Sequence, residues 1–263
     1  MSFQIEKKFA IETAQEAGNL LMRNYGRMQS LDWHSRTNFK IEVDDLSDKL
    51  IRKRIEDTFP EHNIYSEEQE GIDRNSEFSW VIDPLDGTIP YTYGISDHFS
   101  VCIALVKEKE PVLGVIYAPK RNEIYVAEKG AGAFCNADAI SVSLEDNINH
   151  ALVGTDPGRE SKQYRRQDFA PTYRRLYSSN GIVALLCSGC ASVPLALVAS
   201  GKLHAYLSNR LEPWDMAAAV PIIREAGGKV TNIKGKEWEL GDTTILAANS
   251  KLHYSLLDFI AKP

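Results

Sequence analysis

The stretch Ile82-Asp83-Pro84-Leu85-Asp86-Gly87-Thr88 is where this chain offers chemistry. Two carboxylates close an apolar run. Pro84 has no N–H for a ladder, so a strand over 78–83 is expected to stop there. A chain turning sharply at that point aims Asp83 and Asp86 at one place, and the carbonyl of Leu85 can join them. Donors that are all oxygen suit a hard cation such as Mg²⁺. Two ions held about 4 Å apart need a bridging carboxylate, which Asp83 can supply. Gly87 lets a ligand come close to the backbone. Thr88 adds a hydroxyl and an N–H for a phosphate oxygen or a water. Taken alone, Asp86-Gly87 is equally a plain turn pair.

Other chemical signals are weaker. The chain carries no P-loop, HExxH, GxSxG or kinase catalytic loop. Cys187-Ser188-Gly189-Cys190 has redox spacing, but no second pair completes a zinc site. Gly130-Ala131-Gly132 imitates the start of a dinucleotide fingerprint, lacks its third glycine and lies between two strand patterns. A hairpin turn is expected there.

The elements that must position these residues follow from periodicity. Helical spacing over 3–25 predicts an amphipathic helix ending near Gly26, and a second is expected at about 45–58 before Pro60. From 99 to 143 the period falls to two, which predicts an antiparallel meander. After about residue 150 strands and helices alternate: strands at ALVGT, GIVALLC, HAYLS and TTILAAN, and helices at 159–177, Ala191–Ser200, Asp215–Ala226 and 250–261. Pro221 should kink the third of those helices. The expectation is one domain over 1–263, with an antiparallel-sheet lobe at about 1–147 and an α/β lobe at about 148–263. A site between such lobes is common.

WVIDPLDGT at 80–88 resembles the first signature of the inositol monophosphatase family, Mg²⁺-dependent and lithium-sensitive phosphomonoesterases. Pro213-Trp214-Asp215-Met216-Ala217-Ala218-Ala219 and Glu225-Ala226-Gly227-Gly228 resemble the second. Ser66-Glu67-Glu68 matches the family's metal-binding Glu, and Glu42-Val43-Asp44 resembles its Thr-x-x-Asp element. The resemblance runs from the first helix to the last. It implies a layered α-β-α-β-α sandwich of mixed α/β (α+β) class. It implies two or three Mg²⁺ ions on Glu67, Asp83, the Leu85 carbonyl, Asp86 and Asp215. Asp44 and Thr88, with Glu67, would serve the attacking water. Asp86, Gly87, Thr88, Ala191, Ser208 and Asp215 would face the substrate. A homodimer is also implied.

Three departures stand out. Ile89-Pro90-Tyr91 replaces the polar continuation Thr-Asn-Phe after Asp-Gly-Thr. Ile41 replaces the Thr of the Thr-x-x-Asp element. Ser208 stands where inositol-cleaving members carry a Glu for sugar hydroxyls. Inositol 1-phosphate is the reference substrate. Histidinol phosphate, fructose 1,6-bisphosphate and 3′-phosphoadenosine 5′-phosphate are the alternatives, the last disfavoured because Ile89 replaces a Lys. Some bacterial members, the extragenic-suppressor proteins, bind the transcription machinery. One stretch here invites such a partner or RNA: Arg159, Lys162, Arg165, Arg166, Arg174 and Arg175 against Glu160 and Asp168.

The whole chain bounds these readings. It has 263 residues, 43% hydrophobic and 25% charged, which excludes wholesale disorder. A net charge of −6 does not predict nucleic-acid binding. Four sparse cysteines do not make a disulfide scaffold. The first ten residues hold no apolar signal core, and no apolar run reaches 18 residues. A cytoplasmic protein without a membrane span is expected.

Overall fold

The computed structural model describes residues 2–27, 30–35, 38–156 and 169–261. Most of the basic run, 159–168, lies outside them, as does the first part of the helix expected at 159–177.

Helix α1 (Gln4–Asn24) buries Phe9, Ala10, Thr13, Ala14, Ala17 and Leu21, one face at helical spacing. Helix α2 (Glu42–Thr58) buries Val43, Ile51 and Ile55, but also Asp44, Ser47 and Asp48 on the same face. Its apolar half packs on a sheet, and its polar half faces the candidate site. Strands β1 (Asp32–Ser35) and β2 (Asn38–Lys40) form a short hairpin between the two helices.

The main sheet has seven strands in chain order. They are β3 (Asn63–Ser66), β4 (Phe78–Asp86), β5 (Ser100–Lys107), β6 (Glu110–Ala118), β7 (Glu123–Glu128), β8 (Ala133–Cys135) and β9 (Asp138–Ala139). From β4 onward the pairs are antiparallel, the expected meander; β3 pairs parallel to β4. Five strands make the second sheet: β10 (Leu152–Asp156), β11 (Ala184–Cys187), β12 (Ala205–Ser208), β13 (Gly228–Thr231) and β14 (Ile245–Asn249), in the order β11-β10-β12-β14-β13. Its first three strands are parallel and the last two pairings antiparallel.

Helices fill the space between and outside the sheets: α3 (Thr88–Tyr93), α4 (Ala170–Leu176), α5 (Ser192–Ala199), α6 (Pro213–Met216), α7 (Ala219–Glu225) and α8 (Ser250–Ala261). Three cores result. One joins α1 and α2 to the outer face of the main sheet. The second lies between the sheets, around α5 and α7. The third joins the smaller sheet to α4 and α8. The layers read α-β-α-β-α, as the family resemblance implied. Among the described residues no helix is long and apolar enough to cross a membrane.

Two expectations are corrected. Strand β4 does not stop at Pro84 but runs on to Asp86. The register pairs Asp83 with Cys102 and Asp86 with Ser100, three steps on β4 against two on β5. That is a bulge, and it takes up the proline that cannot join the ladder. The helix expected at Asp215–Ala226 is two helices, α6 and α7. Pro221 cannot donate to the carbonyl of Ala217, four residues back, so the break falls at 217–218 rather than at the proline.

Candidate active site

The bulge in β4 does the first work. In an unbroken strand, residues three apart face opposite sides. The extra residue puts Asp83 and Asp86 on the same face as Cys102 and Ser100. That face looks toward α5, α6 and α7. Ser47, buried on α2, donates to the Pro84 carbonyl at 3.0 Å and ties the bulge down. The Asp83 carboxylate accepts the Leu85 N–H at 3.1 Å, and Thr88 donates to the Leu85 carbonyl at 3.3 Å.

Gly87 caps α3 with φ +89°. A Cβ there would sit 2.5 Å from the His98 carbonyl oxygen and 3.1 Å from the Cys190 Cβ, so both conformation and space require glycine. Ile89 is exposed while Pro90 is buried, and both approach the turn at Gly189. The apolar departure after Asp-Gly-Thr therefore packs on the loop leading into α5.

Three carboxylates converge. Oxygens of Glu67, Asp83 and Asp215 lie within 4.8 Å of one another. Glu67 follows β3, whose last residue, Ser66, donates its hydroxyl to the buried Asp48 of α2. Asp215 is the third residue of α6. Its carboxylate reaches back to the Glu212 N–H at 2.7 Å. Asp44 makes the same contact in α2, to the Ile41 N–H at 2.9 Å. Ile41, buried at the N-cap, brings no side-chain acceptor of its own, so Asp44 alone holds that end.

The field here is strongly negative. Burial, then the charges of Glu68 and Glu67, raise the Asp44 carboxyl well above the ordinary range. Its second oxygen is buried and, among the described residues, has no hydrogen-bond partner. Burial and the neighbouring Glu67 raise Glu68 as well, although Lys40 works against the shift. Lys40 pairs with Asp45 at 2.7 Å and with Glu68 at 2.9 Å. Hard oxygen donors, mutual repulsion and an orphaned buried carboxylate oxygen are the features a divalent cation would satisfy. The donor set fits Mg²⁺, with Glu67, Asp83 and Asp215 as the residues to hold it.

The remaining expected residues are placed differently. Asp86 is 8% exposed and turned onto the start of α5, where the backbone N–H groups of Ala191 and Ser192 meet it. Ser208 is fully buried, and its hydroxyl donates to the Asp156 carbonyl at 2.8 Å. Of the basic run, Arg174 is exposed, and Arg175 bonds the Ile260 carbonyl at the end of α8. Sequence reasoning missed the roles of Lys40, Ser47, Asp48 and Ser192. The signal for two of them was present: Ser47 and Asp48 interrupt an apolar helix face that resumes at Ile51 and Ile55.

Acids from four elements meet at the end of a bulged strand between two helix layers, an arrangement that could hold a divalent cation. The model of the inositol monophosphatase family matches residues 5–262, and the chain belongs to that family. It is 33% identical to a Nus factor SuhB of Xylella fastidiosa over 258 residues, 95% of this chain and 92% of that one. It is also 33% identical to a fructose-1,6-bisphosphatase/inositol-1-monophosphatase of Thermotoga maritima over 249 residues, 93% and 91% of the two chains. Among solved structures, the extragenic suppressor protein suhB of Bartonella henselae superposes with a TM-score of 0.89 at 28% identity, covering 97% of this chain and 98% of that one.

Proposed function

We propose that this chain hydrolyses a small phosphate monoester in a Mg²⁺-dependent reaction, with inositol 1-phosphate or a related sugar or polyol phosphate as substrate. The convergence of Glu67, Asp83 and Asp215 beside the buried Asp44 carries this reading. Bound Mg²⁺ would supply an acidified attacking water and charge stabilisation for the leaving alkoxide. In this reading Glu67, Asp83 and Asp215, with the Leu85 carbonyl and Asp86, would hold the ions. Asp44 and Thr88 would hold and polarise the attacking water. The backbone at Asp86, Gly87 and Thr88 receives the phosphate, and positioning does most of the catalytic work.

The relative named for two substrates supports testing fructose 1,6-bisphosphate beside inositol 1-phosphate. The buried, committed hydroxyl of Ser208 supplies no carboxylate for sugar hydroxyls, which supports a looser grip on the alcohol half. Lithium inhibition and a homodimer belong to the same reading. Phosphate release from both substrates, with and without Mg²⁺, tests it in the wild type and in Asp83→Asn. Turnover should need Mg²⁺ and vanish in the variant while the folded state persists. Equal Mg²⁺-dependent activity in both proteins would sink the proposal.

A second reading rests on the relatives named Nus factor. The chain then also binds RNA or transcription machinery, through the basic stretch that includes Arg165 and Arg166. The double charge reversal Arg165→Glu with Arg166→Glu should abolish RNA capture and spare phosphate release. Unchanged RNA capture removes this reading.

A further inference from the structure

We propose that Ser192, backed by Ser100, is a positioning residue that aims Asp86 at the cation; this rests on the metal-dependent reading above. One oxygen of Asp86, Oδ2, collects four donors. The Ala191 N–H lies at 2.9 Å, the Ser192 N–H at 2.6 Å and the Cys190 thiol at 3.0 Å. The Ser192 hydroxyl makes the fourth contact. Oδ1 receives only a long contact of 3.3 Å from the Ala191 N–H.

The direction of each bond follows from valence. An ionised carboxylate has no proton to give, so the Ser192 hydroxyl must donate to it. That uses its single hydrogen. The hydroxyl of Ser100, 2.7 Å from Ser192 Oγ, must then donate to Ser192. Ser100 Oγ in turn accepts from the Cys102 thiol at 3.5 Å. The result is a chain of donors, from Cys102 through Ser100 and Ser192, ending on one carboxylate oxygen.

The chain is dry. Ser100 and Ser192 are fully buried, and Cys102 and Cys190 are 1% exposed. No bulk water competes, so each member keeps its partner or suffers the full cost of losing it. The bulge supplies the geometry, because it sets Asp86 opposite Ser100 on the face that meets α5. With Oδ2 saturated, Asp86 offers a cation Oδ1 alone. It would hold the cation through that one oxygen, whose direction Ser192 sets.

The test uses the full chain and Mn²⁺, counted by the EPR signal of the free ion, so that no turnover is involved. Ser192→Ala should weaken Mn²⁺ binding about ten- to hundredfold, the usual loss when the partner of a metal ligand is removed. Ser100→Ala should weaken it less. The double variant should bind no worse than Ser192→Ala alone, because Ser100 acts through Ser192. Ser192→Thr keeps the hydroxyl and should restore most of the affinity. Wild-type Mn²⁺ affinity in Ser192→Ala, even with a lower melting temperature, would overturn the proposal, as would additive losses in the double variant. If Ser192→Ala does not fold, Ser100→Ala decides the matter by the same criterion. A wild type that binds no Mn²⁺ refutes the metal-dependent reading itself. A wild type that binds it as tightly as Ser192→Ala refutes only the role of Ser192.

Discussion

A methyl group far from any reacting atom should disable this site. Gly114 lies mid-strand in β6, where α7 crosses the sheet. A Cβ there would stand 2.0 Å from the Ala218 carbonyl oxygen and 2.9 Å from Pro221 Cγ. The first distance is more than roughly 1 Å short of ordinary contact. The sheet is the stiffer partner, since β6 is paired along both edges. The Ala217-Ala218 link between α6 and α7 must therefore yield. Asp215 is three residues before Ala218 and shares that link, so it moves too. Overpacking of this kind costs about 1–3 kcal/mol, a fall in melting temperature of roughly 2–10 °C for a chain of this size. A ligand displaced by about 1 Å can cost on the order of a hundredfold in rate. Gly114→Ala should thus lower the urea midpoint and raise the Mg²⁺ concentration needed for half-maximal phosphate release. A variant with wild-type midpoint and wild-type Mg²⁺ dependence refutes the packing argument. Lower stability with unchanged Mg²⁺ dependence refutes the link to Asp215.

Two further outcomes separate stability from the site. Glu128, 4% exposed, accepts the Phe3 N–H at 2.7 Å and contacts Ser2, Gln4 and Lys7 at the start of α1. Glu128→Ala should cost about 2–3 kcal/mol in urea unfolding and leave the Mg²⁺ dependence of phosphate release unchanged; a shifted Mg²⁺ requirement would count against the separation. Burial, then the charge of Lys229, lowers the pKa of His253 to about 4, although Glu237 opposes the shift, and its Nε2 lies 2.8 Å from Thr231 Oγ1. Its folded pKa lies below the unfolded value, so its neutral form contributes stability that is full above about pH 6.5. That stability is lost as pH falls toward 4, by up to roughly 3 kcal/mol. The stability gap between wild type and His253→Gln should shrink over that window, and parallel pH profiles would refute the assignment.

Much of this architecture was legible because it rests on strong periodic signals. The meander from Ser100 to Cys135 reads as short apolar runs parted by turn residues, and α1 shows its buried face in the spacing of Phe9, Ala14, Ala17 and Leu21. What escaped was short or punctuated. Strand β3 is four residues of mixed character, and its parallel pairing with β4 is a tertiary fact. Helix α3 reads as a loop because it follows Gly87 and contains Pro90. Yet Pro90 sits in the first turn, where its missing N–H is not needed. The Gly130-Ala131-Gly132 stretch is the expected hairpin turn, between β7 and β8, and it also cradles an acid. Its N–H groups at Gly130 and Gly132 are held by the two oxygens of Glu225, at 2.8 and 2.9 Å. The acid of Glu225-Ala226-Gly227-Gly228 is thus a clamp between α7 and the β7–β8 turn. No local pattern announces that.

The aspartates at the site are built to one plan, and the plan governs how they should be probed. Asp83 takes the Leu85 N–H, Asp44 the Ile41 N–H, Asp215 the Glu212 N–H and Asp86 the N–H groups at the start of α5. In each case a backbone donor fixes one carboxylate oxygen and with it the direction of the group. Backbone donors do not rotate away, so the acids stay aimed even where their charges repel. The fixed bond is also part of the fold: it caps the start of a helix at Asp44 and Asp215, and it steadies the bulge at Asp83. Replacing any of them by Ala removes an acceptor from a buried donor as well as a charge. A loss of activity then conflates unfolding with chemistry. Asn keeps a carbonyl oxygen for the backbone N–H and removes the charge alone. The Asp→Asn series is therefore the one in which lost turnover at constant stability reports on the cation.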